Sequence, residues 1–108
     1  SKSGVWVAIR TATERRPNRW WLGLQERKIR RRMGEGGVAI VLLCEPSSGK
    51  ILDFIIPPDK VRDIIDKLST SGGDVKFNVR KLASRYYLVI PGETSLDITS
   101  YIGKGLDW

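Results

Sequence analysis

The sequence predicts an α+β fold: a mainly antiparallel, curved or barrel-like β-sheet of about six strands, with two to three short helices. Three observations carry that prediction. Apolar residues alternate at period two in several short runs, the signature of half-buried strands. Turn residues separate successive runs, so neighbouring strands return on one another as hairpins. Only two stretches change to helical spacing. With 108 residues, 41% hydrophobic and 29% charged, the chain is globular and of one-domain size, so residues 1–108 are expected to form one unit. It does not begin with Met, and the expectation is a piece cut from a larger protein.

The first strand is expected over Val5–Arg10, with Val5, Val7 and Ile9 facing the core and Trp6 and Arg10 turned away. Pro17-Asn18 marks a turn, and Arg19–Leu24 reads as the second strand. There Trp20, Leu22 and Leu24 share one side, and Trp21 and Gly23 the other. Gln25–Met33 is rich in helix formers and spaces Ile29 and Met33 one turn apart. Gly34, Gly36 and Gly37 supply its stop, which puts Arg30, Arg31 and Arg32 in the last turn, where cations suit the helix dipole. A long basic hairpin arm is the alternative for this stretch.

Val38–Cys44 is the longest apolar run and predicts a central strand. Glu45–Gly49 turns the chain and Lys50–Ile56 returns it as a hairpin. Pro57-Pro58 opens a helix on which Val61, Ile64, Ile65 and Leu68 form an apolar stripe. Ser69–Gly73 is a loop, and Asp74–Arg80 and Arg85–Ile90 form a second hairpin. Leu96, Ile98, Tyr101 and Ile102 make a short closing segment.

Charge is distributed unevenly. Residues 1–33 hold ten Lys and Arg against two Asp and Glu, whereas residues 34–108 hold nine against ten. The whole excess of +7 therefore lies in the first third, concentrated between Arg15 and Arg32. Arginine grips phosphate as a fork and stacks on bases, so an arginine cluster around tryptophan points to a polyanion. The candidate contact residues are Arg15, Arg16, Arg19, Trp21, Arg27, Lys28, Arg30, Arg31 and Arg32. The plain alternative makes the tryptophans core and the arginines a solvated face. One of the adjacent tryptophans is core in any case, because strand neighbours face opposite sides.

Other chemistries find less support. Without histidine, the chain has no Ser-His-Asp or Cys-His catalysis and no His metal site. Its single Cys44 reads as a small core residue in a reducing compartment, which makes the cytoplasm the expected location. The seven-residue Val38–Cys44 run is far short of the ~20 that a membrane span needs, and the opening Ser1-Lys2-Ser3-Gly4 introduces no leader sequence. Neither metal nor cofactor is expected. Pro58-Asp59 followed by Asp74-Val75-Lys76 fits the pattern of metal-dependent nucleases, two acids for Mg²⁺ and a lysine for the attacking water. Five common residue types with a free gap recur by chance, however, and Asp59 at a helix start is simply an acid favoured by the helix dipole.

One resemblance covers most of the chain from Val5 to Tyr101. Trp20-Trp21-Leu22-Gly23-Leu24, the apolar strand ending at Cys44, Ile55-Ile56-Pro57-Pro58 before a helix, Lys76–Val79 and Tyr86–Pro91 succeed one another in a rhythm. That succession resembles the B3-like (effector-domain) DNA-recognition module of restriction endonucleases and related prokaryotic defence proteins. The resemblance implies a non-catalytic domain that reads double-stranded DNA beside a separate nuclease domain of the same protein. The alternatives are an RNA or single-strand binder that stacks bases on Trp21 or Trp6, a small nuclease built on Asp59, Asp74 and Lys76, and a domain that docks an acidic protein.

Overall fold

In a computed structural model the residues described are 4–103; Ser1, Lys2 and Ser3, read above as no leader, lie outside them. Among the described residues eight strands build two curved sheets, which do not close into a barrel. The first sheet places β3 (Val38–Glu45) between β1 (Trp6–Thr13) and β4 (Leu52–Ile56). The second runs β2 (Arg19–Gln25), β6 (Asp74–Leu82), β7 (Arg85–Leu88) and β8 (Leu96–Asp97), with the two-residue β5 (Thr70–Ser71) also on β6. Helix α1 (Glu26–Glu35) follows β2, and α2 (Pro58–Ile64) follows β4 and tightens into a 3-10 turn at Ile65–Lys67. Both predicted hairpins form, β3–β4 and β6–β7. The described residues contain no helix long and apolar enough to cross a membrane.

One pairing departs from the antiparallel pattern. β1 runs parallel to β3, because β2 and α1 carry the chain away and back before β3 begins. β1 and β2 share a turn but belong to different sheets. They splay apart, linked by backbone bonds from Arg15 to Arg19 and from Arg19 to Arg16, and by Arg10 Nε donating to the Gly23 carbonyl at 3.2 Å.

The expected faces of β1 are reversed. Register sets Trp6, Ala8 and Ala12 beside Val38, Ile40 and Cys44, the core face of β3, so Ala8 is buried while Ile9 is 53% exposed. Counting apolar side chains favoured the other face. The small alanines are the ones that point inward, which alternation alone does not reveal. Helix α1 also runs through Gly34 to Glu35, past its expected end. The stop falls at Gly36, where a side chain would collide with the Gly4 carbonyl, so close approach of two backbones demands glycine there. Only Arg32 of the three arginines therefore reaches the last turn.

Trp20 joins the sheets. It is 2% exposed, its ring lies 6.3 Å from Tyr86, and Tyr86 in turn lies 5.4 Å from Phe54 of β4. Its indole Nε1 donates to the Glu45 carbonyl at the end of β3, at 2.9 Å. At the far side a clamp fixes β7 to β8. Asp97 accepts from the Thr99 N–H at 2.9 Å and from Arg85 Nε, while Thr99 Oγ1 accepts the Tyr86 N–H at 2.8 Å. The bonds from Thr99, then Arg85, hold the half-exposed Asp97 carboxyl down to about 2.

Two predictions follow from this packing. Trp20→Ala is expected to cost about 3–5 kcal/mol in urea unfolding, and Trp21→Ala, on the outer face, about 1 kcal/mol or less. Because Asp97 is more acidic folded than unfolded, its stabilisation is complete above about pH 4 and disappears as pH falls towards 2. The gap in melting temperature between wild type and Asp97→Asn should therefore shrink between pH 5 and about 2; a constant gap counts against the clamp.

Candidate nucleic-acid interface

Strand β2 separates the predicted basic residues into groups. Arg15 and Arg16 occupy the turn before it, Arg19 begins it, Trp21 lies on its outer face, and the α1 residues follow its far end. From Arg19 to Gln25 the strand advances about 20 Å at the usual rise per residue. The turn and the helix therefore form two sites rather than one cluster.

The turn is held rigidly. The Glu14 N–H donates to the Glu45 carbonyl at 2.9 Å. Its carboxylate accepts the N–H groups of Asn18 and Ser47, and these bonds lower its pKa. Asn18 takes a left-handed φ of 64°, which asparagine tolerates, and its carbonyl accepts the Lys81 N–H. The β1–β2 turn is thereby tied to the β3–β4 turn and to the end of β6.

On that frame three arginines succeed one another across the backbone. Arg16 bridges to Arg19, and Arg19 is the ladder partner of Arg80. Directly paired residues share a face, and like charges opposite one another are unfavourable. Among the described residues no carboxylate lies within ion-pair distance of any of the three. Beyond them the same face carries Trp21 opposite Asn78, Gly23 opposite Lys76, and Tyr87 opposite Arg80.

The helix cations are not equivalent. Arg30 bonds Glu26 at 2.9 Å and Asp66 at 2.8 Å, pinning α1 to the 3-10 turn after α2; these bonds raise its pKa further. Arg32 lies 5.4 Å over the Trp6 ring and 3.5 Å from Glu35. Trp6 is thus covered on one face by its own arginine. Arg27, Lys28 and Arg31 are exposed, and among the described residues none has an acidic partner. Of the nine predicted residues, Arg15, Arg16, Arg19, Trp21, Arg27, Lys28 and Arg31 are available to a ligand, while Arg30 and Arg32 serve the fold.

No protein-family model, curated protein or solved structure matches this chain.

As neighbours of the basic face, Arg80, Asn78 and Tyr87 were not singled out from the sequence, and Lys76 was singled out only for the nuclease pattern. Their alternation along β6 and β7 was legible, but the register that sets them beside β2 was not. Of the nuclease pattern, Asp59 lies in the first turn of α2 and Asp74 begins β6, 4.0 Å from Lys76. Among the described residues no three His, Cys, Asp or Glu gather where a metal ion would need them. Burial pushes the Cys44 thiol up to about 12, too high for a nucleophile at neutral pH.

The two roles of the helix arginines separate experimentally. Arg30→Ala is expected to lower the melting temperature with little change in binding to a duplex oligonucleotide at low salt. Arg27→Ala with Arg31→Ala is expected to leave melting within about 0.5 kcal/mol of wild type and to weaken binding. The reverse pattern would reassign them.

Proposed function

We propose that this chain is a non-catalytic DNA-binding domain that holds its ligand chiefly through backbone phosphates. The observation that carries the reading is the run Arg16–Arg19–Arg80 on one face, like charges in register with, among the described residues, no carboxylate within ion-pair distance. Such a row is unfavourable in the free protein and becomes favourable once an anion lies along it. Arg15 extends the row, and Arg27, Lys28 and Arg31 offer a second contact beyond the far end of β2. A ligand that reaches both sites must present regularly spaced negative charge over about 20 Å, as a DNA backbone does. In the form that the sequence resemblance implies, that ligand is duplex DNA and the domain is the target-recognition part of a restriction-type protein. Cutting would then fall to a separate domain.

The test is the salt dependence of binding to a 20-bp duplex. The log–log slope is expected near −0.9 per neutralised phosphate, with roughly four to six contacts, and a flat response removes the proposal. Arg80→Thr should weaken binding while raising stability at low salt by a few tenths of a kcal/mol, since it relieves the opposition to Arg19. With Mg²⁺ added, the duplex should remain intact. Cutting that vanishes in Asp74→Ala would put the nuclease reading in its place.

A further inference from the structure

The outer face of the β2–β6–β7 sheet has a feature that phosphate binding does not use. Trp21 is 41% exposed there, beside a buried twin. A depression of about 340 Å³ adjoins it, lined by Trp21, Leu22, Gly23, Ser69, Lys76 and Asn78. Gly23 forms part of that space: a side chain there would sit 3.2 Å from the Asp74 carboxylate and 3.5 Å from Lys76 Nζ. Asn78, opposite Trp21, brings an amide that both donates and accepts. Arg19 and Arg80 lie one step along the same face, and Lys76 lies one step the other way.

We propose that this face is a stacking platform for an unpaired base of single-stranded DNA, with Trp21 as the stacking surface. The assignment rests on the nucleic-acid reading above and adds the strand form that one surface takes. A base pair inside a duplex offers no free ring face, whereas an unpaired base offers two. The adjoining space accepts the base or its neighbour, and Asn78 is placed to hydrogen-bond a base edge. The cations on either side stand about 7 Å from Trp21 along the strands, where the flanking phosphates of a stacked nucleotide run. Charge selects the occupant. On this face Arg85 is already neutralised by Asp97, at 2.5 Å, and Lys76 is only loosely opposed by Asp74, at 4.0 Å, so the surface about Trp21 favours a polyanion over an acid-poor peptide.

The experiment uses the protein with a labelled 12-nucleotide oligothymidylate, an abasic oligomer of equal length, the matching oligoribonucleotide and a 20-bp duplex, all read by anisotropy at one salt concentration. Trp21→Ala is expected to lose roughly 5- to 150-fold in affinity for the oligothymidylate. Duplex affinity should change less than about twofold, and Trp21→Phe should recover much of the loss. The abasic oligomer should bind wild type as weakly as the oligothymidylate binds Trp21→Ala. Independently of any variant, an oligomer carrying 5-iododeoxyuridine, irradiated on the wild-type protein, should crosslink at Trp21. Unchanged affinity in a folded Trp21→Ala, crosslinks confined to other elements, or tenfold tighter binding of the ribonucleotide strand would each overturn the assignment. If duplex binding survives those results, only the platform fails. If no oligonucleotide binds at all, the nucleic-acid reading fails with it.

Discussion

The Glu45 carbonyl is the point on which the two sheets depend. It closes the end of β3 and accepts two hydrogen bonds, one from the Glu14 backbone and one from the Trp20 indole. The first ends β1 in register; the second reaches across the core from β2. A buried indole N–H without a partner costs on the order of 1–3 kcal/mol, so the bond fixes where Trp20 can lie as well as stabilising it. With Trp20 fixed, Tyr86 and then Phe54 of the other sheet pack behind it with tilted rings, which joins the two sheets across the core.

That constraint determines the outer surface as well. Adjacent residues on a strand face opposite ways, so burying Trp20 forces Trp21 outward. Because the ladder of β2 with β6 is in register, the outward residues of β6 come to stand beside it. Core packing and the candidate binding face are therefore two sides of one arrangement. Glu14 adds to it, since the carboxylate that secures the arginine turn belongs to the residue whose backbone meets Glu45.

The basic residues divide by what lies near them rather than by type. Arg30 bridges two elements through Glu26 and Asp66, and Arg32 covers Trp6, so both stabilise the fold locally. Pairs of this exposed kind contribute modestly, and their chief effect is to orient α1. Arg16, Arg19 and Arg80 have no such partners among the described residues.

The sequence by itself determined the local elements and the sign of the surface. Period-two alternation fixed β2 and β6, glycine and proline fixed the turns, and the Arg15–Arg32 run located the excess charge. It also determined that one of Trp20 and Trp21 would be buried. Tertiary structure decided the rest. Val7 and Ile9 against Trp6 and Ala8 present two apolar faces, and only the parallel register with β3 chose between them. Arg19 and Arg80 are 61 positions apart, and no local pattern places them together. Which arginines are free was likewise undecidable from spacing, because the acid that engages Arg30 arrives from the turn after α2, 36 residues away. Local propensity acts over one turn or one strand, whereas charge pairing and strand register are settled by contacts between distant segments.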